Sequence, residues 1–250
     1  MRIALGLAAL AVLAMSVPAR AEALRVCVDT DDFRPFTYHE ADHSLGGFHI
    51  DLTKAMCDEI HATCTFVEDK FGQMIADVTG NKCDFVMAFM GWSAEREKIV
   101  DFTDAYFRSR FVYIAQAGKG IKVSPDTFKG KTIVTQGDTL WEKFVRADAG
   151  SYAQLLLPKE FAETQADLVS GKADALMEDA LSAYEFLKSP EGAKYEIVGT
   201  LDAPPPAGEA FVEVRKGDGL KQRLNEALAT LRQNGTYRKI SVKHLPVILQ

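Results

Sequence analysis

An α/β chain of two similar lobes is the fold class that this sequence predicts, and three observations predict it. Strand-like apolar runs alternate with helical patterns along almost the whole chain, which favours mostly parallel sheets flanked by helices. Residues 76–87 (ADVTGNKCDFVM) and 166–177 (ADLVSGKADALM) align without gaps at an offset of 90, with five of twelve positions identical. Two extended stretches, 107–120 and 201–214, look like joints, the second through a Pro/Gly segment that resists regular structure. With 250 residues, 47% hydrophobic and 26% charged, the chain can bury a sizeable core, so a disordered or collagen-like chain is excluded.

In chain order, LRVCV reads as a strand. GGFHIDLTKAMCDEI reads as a helix with Leu52, Met56 and Ile60 on one face. CTFVE is a strand, FGQMIADVTG a short helix and CDFVMAF a strand. The second half repeats the theme with strand KTIVTQG, helix DTLWEKFVRA, strand YAQLLLP, helix ETQADLVSG, strand ADALMED and helix ALSAYEFLKS. After strand VEVRK, the stretch GLKQRLNEALATLRQNGTYRKI is amphipathic, with Leu220, Leu224, Leu228 and Leu231 on one face and Gly235 as a stop. It has no sheet of its own and is expected to pack back on the first lobe. The predicted division is a discontinuous first lobe, 22–110 with 209–250, and a second lobe, 111–208.

The first 21 residues are expected to be a secretory signal peptide. Arg2 supplies a positive start, Ile3–Val17 is apolar, and Ala19-Arg20-Ala21 is a cleavage pattern. A membrane anchor needs roughly 20 apolar residues. Cleavage leaves 27 basic against 35 acidic residues, so the mature chain is acidic, with no basic surface for nucleic acid. Export favours disulfides for the four cysteines. Cys57 and Cys64 flank a helix end and close a short loop, whereas Cys27 and Cys83 lie in or beside two strands and either bridge or stay as buried thiols.

His39-Glu40-Ala41-Asp42-His43 satisfies a zinc-protease pattern, but that chemistry needs both imidazoles on one helix face. Here the segment follows Pro35-Phe36 and ends in Gly46-Gly47, so a polar hairpin is expected and no metal site.

Six segments in order carry a family resemblance: LRVCVDTDDFRPF, GGFHIDLTKAMCDEI, CDFVMAFMGWSAEREKIVDFTDAYF, FKGKTIVTQGDT, GKADALMED and LNEALATLRQNGTYRKI. Over essentially all of the mature chain, the sequence resembles the type II periplasmic amino-acid-binding receptors of ABC importers, solute-binding family 3. It is similar to the lysine/arginine/ornithine and histidine receptors. The resemblance implies two lobes joined by a two-strand hinge, a periplasmic monomer, an amino-acid-like ligand and an inner-membrane ABC permease as partner. It implies neither cofactor nor catalytic residue.

An amino-acid zwitterion demands a guanidinium for its carboxylate and an acid for its ammonium, because burying either unpaired is costly. The resemblance assigns Arg96 to the carboxylate, with Thr139 as the second-lobe contact, and Asp179 to the ammonium. Phe33 and Phe71 match the aromatic pair around the ligand side chain. Ala88, Phe89 and Gly91 stand before the arginine, with Phe89 and Gly91 replacing positions that often hydrogen-bond the carboxylate. Asp138 replaces a hydroxyl residue and would need a ligand cation nearby. The acidic groups of the basic-amino-acid receptors are lost at Thr30 and His49, with Asp29, Asp31 and Asp32 close enough in sequence to compensate. Two rival readings share the fold. One is a cyclohexadienyl dehydratase, favoured by Phe89, Trp92 and Trp141 and opposed by Ala180-Leu181-Ser182. The other is a periplasmic accessory protein of a quinoprotein alcohol dehydrogenase, suggested by Cys27, Cys83 and YFRSRFVYI.

Overall fold

A computed structural model describes residues 21–201, 206 and 208–245. The predicted signal peptide therefore lies outside the described residues except for Ala21, as does part of the Pro/Gly joint. In chain order the first half comprises β1 (Glu22–Asp29), β2 (Tyr38–His39), β3 (Leu45–Gly46), α1 (Phe48–Glu59) and β4 (Ala62–Asp69). It continues with α2 (Met74–Thr79), β5 (Phe85–Met90), α3 (Ala94–Glu97), β6 (Val100–Phe102) and β7 (Phe107–Arg108). The second half holds β8 (Phe111–Gln116), α4 (Pro125–Phe128), β9 (Thr132–Val134), α5 (Leu140–Ala149), β10 (Gln154–Leu156), α6 (Phe161–Val169), β11 (Ala175–Asp179), α7 (Ala180–Lys188) and β12 (Tyr195–Leu201). Then come β13 (Glu209–Arg215), α8 (Leu220–Gln233) and α9 (Thr236–His244).

Two sheets have matching topology. One runs β4-β1-β5-β13-β6, the other β10-β9-β11-β8-β12. In each, three strands pair in parallel and the fourth, β13 or β8, is reversed. The reversed strand is in both cases the one that arrives from the other lobe. The two crossings also pair with each other: β7 with β13 at Arg108↔Glu209, and the Ser109 N–H with the Gly208 carbonyl at 2.8 Å. Gly208 has φ +78°, and a Cβ there would stand 2.4 Å from the Ser109 oxygen, so only glycine suits this ribbon.

The internal echo has a structural reason. Its two copies form α2–β5 and α6–β11, the same step in each sheet. Lys82 Nζ reaches Asp77 at 3.3 Å and Lys172 Nζ reaches Asp167 at 2.7 Å, closing the two helix-to-strand turns alike. Asp84 accepts the Arg25 amide at 2.8 Å while its own N–H donates to the Arg25 carbonyl; Asp174 treats Thr132 the same way, with its carboxylate 2.9 Å from the amide. Three of the five identities thus have equivalent roles: one Asp–Lys pair closes each helix-to-strand turn, and the second aspartate ties β5 to β1 and β11 to β9.

Both disulfides form. Cys27–Cys83 joins β1 to the entry of β5 with a Cα separation of 5.7 Å, and Cys57–Cys64 joins the end of α1 to β4 at 6.1 Å. The C-terminal amphipathic stretch differs from a single helix. Gly235, at φ +82°, ends α8, and TYRKI starts a separate α9. Both pack against α1 of the first lobe. The His39–His43 segment is the turn of the β2–β3 hairpin, where His39 lies 3.2 Å from Asp32 and 2.9 Å from Glu68. Hydrogen bonding to Asp32 raises its pKa.

Burial also sets a pH dependence. Glu178, fully buried in β11, is pushed up to about 8 despite a 3.3 Å bond from the Gln165 amide. In an unfolded chain its proton is lost near 4. Between those values the unfolded state binds fewer protons, so stability falls as pH rises. Buried His49, pulled down to about 3, acts in the opposite sense only below about 6.5. From pH 6.5 to 8, Glu178 is therefore expected to remove roughly 1–2 kcal/mol. Urea midpoints at the two pH values should show this loss in the wild type and less of it in Glu178→Gln. An unchanged slope would reject the assignment.

Candidate ligand-binding site

The carboxyl ends of β1 and β5 and the start of α5 surround one cleft between the sheets, about 510 Å³ when its open mouth is counted. Open α/β sheets place ligands at this edge. Arg96 is positioned by a one-turn helix. After β5, Gly91-Trp92-Ser93 turns the chain, and the Ser93 hydroxyl accepts the Arg96 amide at 3.2 Å as its N-cap. The guanidinium donates to the Gly91 carbonyl at 2.9 Å and, across the cleft, to the Asp138 carbonyl at 3.4 Å. It also stands 5.8 Å from the centre of the Phe71 ring.

Burial lowers the Arg96 pKa, yet among the described residues no carboxylate lies within ion-pair distance of it. Glu213 on β13 is the nearest influence of opposite sign, but it is fully buried and neither of its oxygens has a partner. Burial drives its pKa well up, which makes it a poor counter-ion for the arginine.

Across the cleft, Thr139 caps α5. Its hydroxyl accepts the Glu142 N–H at 3.3 Å and donates to the Gln136 carbonyl at 2.7 Å, while Glu142 accepts the Asp138 amide at 2.8 Å. This variant of a capping box spends the hydroxyl proton inside the turn and points the helix start into the cleft.

Of the nine ligand-binding expectations, Phe33, Phe71, Ala88, Phe89, Gly91, Arg96 and Thr139 line this cleft. Two lie elsewhere. The Asp138 side chain is 63% exposed and paired with Lys159, because φ +61° at this residue swings it outward while its carbonyl faces Arg96. Asp179 is fully buried as the N-cap of α7, its Oδ1 accepting the Leu181 and Ser182 amides at 2.8 and 3.3 Å. Its Oδ2 has no partner, and burial pushes it up to about 6.

Phe33 does not stand as one face of an isolated ring pair. It packs against Phe36, Phe89, Trp141 and Phe161 at centroid distances of 4.8–5.9 Å, joining the cores of the two lobes. Phe161, Phe111 and Gln136 also line the cleft and carried no sequence signal, and Trp141 was notable only as an aromatic.

Phe89 owes its place to the backbone. At φ +53° it leaves the strand ladder, which slips between Phe211 and Glu213. Its N–H donates to the Tyr106 hydroxyl at 3.1 Å, which donates in turn to His49 Nε2 at 2.8 Å. The remaining His49 nitrogen, 3.0 Å from the Thr37 hydroxyl, therefore carries the ring proton. His49 thus braces the cleft wall from inside the core. Tyr106→Phe is expected to cost about 1–3 kcal/mol, because it leaves a buried N–H and an imidazole nitrogen unpaired. A denaturation midpoint equal to the wild type would refute this bracing.

Two sheets hinged by a paired ribbon and closed over an unpaired arginine define a two-lobed solute-binding protein. Sequence comparison gives the family directly: the bacterial extracellular solute-binding proteins, family 3, match over residues 24–247, and the chain belongs to them. Like the family, it is periplasmic, and no helix among the described residues is long and apolar enough to cross a membrane. The L-arginine-binding protein of Pseudomonas aeruginosa is 30% identical over 246 residues, covering 96% of this chain and 94% of its own. The lysine/arginine/ornithine-binding periplasmic protein of Escherichia coli is 31% identical, covering 95% and 93%. A solved ancestral arginine-binding protein bound to arginine superposes with TM-score 0.79 at 32% identity, over 89% of this chain and 97% of that one.

Proposed function

We propose that the protein is the receptor of an ABC importer, capturing a small amino-acid-like ligand between its lobes and delivering it to an inner-membrane permease. It acts as a monomer and performs no covalent chemistry; binding is the function. The observation that carries this reading is Arg96, a half-buried cation facing the cleft, with no carboxylate within ion-pair distance among the described residues. A ligand carboxylate satisfies it, aided by the start of α5 on the opposite wall. Relatives named for arginine, lysine, ornithine and histidine, and an ancestral protein solved with glutamine, bind ligands that share the α-carboxylate. Closure is a hinge motion at the ribbon where Arg108 pairs Glu209, bringing Arg96 against the Asp138 carbonyl.

Titration calorimetry on protein unfolded and refolded to strip carried-over ligand tests this reading. Binding by one class of α-amino acid, lost in Arg96→Ala, is the expected result. Binding that survives Arg96→Ala undiminished, or a refolded protein that binds no member of a full amino-acid panel, would overturn it.

A further inference from the structure

We propose that Asp31 is a positioning residue for closure: it supplies, across the cleft, the N-cap that α6 lacks, and so sets ligand affinity and release without touching the ligand. This inference rests on the receptor reading given above and adds to it the contact that holds the closed form. Asp31 follows β1 and does not line the cleft.

The start of α6 is poorly capped by its own chain. Glu160 occupies the N-cap position, and its side chain makes no hydrogen bond to the first turn. Of the first-turn amides, that of Glu163 reaches the Glu160 carbonyl at 3.3 Å. The Phe161 amide instead donates across the cleft to Asp31 Oδ2 at 2.5 Å, although 130 residues separate the two in sequence. Burial raises the Asp31 pKa, and the Phe161 and Ala162 amides act against that rise. The carboxylate therefore faces two donors that a helix start leaves without partners, at the positive end of the helix dipole.

Neighbouring residues hold this contact in place. Asp29, buried at the end of β1, accepts the Asp31 amide at 3.1 Å and fixes the loop that carries the cap. The Phe33 ring packs on the Phe161 ring at 4.8 Å, so one residue of α6 is gripped by both amide and side chain. Lys70, which follows β4, pairs with Glu160 at 2.5 Å but is 64% exposed. An exposed ion pair contributes little, whereas a charged acceptor on helix amides contributes more. Asp31 and Phe161 belong to steps of different sheets, so opening the ribbon hinge parts them and returns both to water. The cap therefore favours the closed form alone, and binding that requires closure gains by the same amount.

The test compares refolded wild type with Asp31→Ala, Asp31→Asn and Lys70→Gln. The probe is the tightest binder among the standard L-amino acids, found by calorimetry on the wild type, with its release followed by tryptophan fluorescence in stopped flow. Asp31→Ala should weaken that amino acid by roughly five- to thirtyfold, the range of a lost helix cap. Most of the change should be faster release. Asp31→Asn keeps an acceptor oxygen and should stay within about threefold of the wild type. Lys70→Gln should do the same. Ligand-free melting temperatures should agree within about 1 °C, because the empty protein opens and does not use the cap.

Wild-type affinity and release in Asp31→Ala, with Arg96 still required, would overturn the inference and leave the receptor reading standing. An equal drop in melting temperature with and without the amino acid would also overturn it, assigning Asp31 to the stability of the fold. So would a loss in Asp31→Asn as deep as in Asp31→Ala, since asparagine caps a helix as well. A wild type that binds no amino acid would overturn the receptor reading and this inference with it.

Discussion

Refolded wild-type protein saturated with its ligand is expected to melt on the order of 10 °C higher than the empty protein, and Arg96→Ala is expected to lose nearly all of that shift. A ligand at a thousand times its Kd adds about 4 kcal/mol to the folded state by mass action. A chain of this size gains roughly 2–4 °C per kcal/mol. Arg96 matters this much because its guanidinium is desolvated, held by two carbonyls, and faces no carboxylate within ion-pair distance among the described residues. Truncating one partner of a buried charge pair costs about 2–5 kcal/mol, enough to remove most of the stabilisation. The variant should fold, since its α3 cap depends on Ser93 and the Arg96 backbone rather than on the guanidinium. A retained shift would mean that the ligand carboxylate is held elsewhere.

Removal of the Cys27–Cys83 bridge should be the most damaging change to stability itself. The bridge closes a loop of 56 residues in sequence separation, against 7 for Cys57–Cys64. Chain-entropy reasoning assigns the longer loop roughly 4 kcal/mol and the shorter about 2.5 kcal/mol. The double variant Cys27→Ala/Cys83→Ala is therefore expected to melt about 10 °C lower, and Cys57→Ala/Cys64→Ala to lose about half as much. Cys27 and Cys83 are fully buried beneath the wall that carries Ala88, so the longer bridge also ties β1, with Asp29, to β5 on the way to Arg96. Equal losses in the two double variants would show that loop length does not govern their contribution.

Much of this architecture is local in origin. The alternation of apolar runs and amphipathic helices specified the element order, because periodicities of 2 and 3.6 are written residue by residue. The echo at an offset of 90 carried real information: Asp77–Lys82 and Asp167–Lys172 close equivalent turns, and Asp84 and Asp174 hold equivalent strands. Arg96 was marked by the family resemblance, in the SAER segment that follows the strand Phe85–Met90.

The rest depended on where side chains point after the chain has folded. Asp138 and Asp179 occupy the segments the sequence suggested, but a left-handed φ turns one into solvent and helix capping claims the other. His49, in a sequence position suited to ligand contact, is buried behind Phe89 through Tyr106. Phe161 and Asp29, 132 residues apart in sequence, meet at one cleft only because the two sheets face each other across the hinge. Sequence by itself determined which elements form and in what order, since propensity and periodicity act between near neighbours. Tertiary structure decided which charges are left unpaired in the cleft, because desolvation and counter-ion distance are set by contacts between distant parts of the chain.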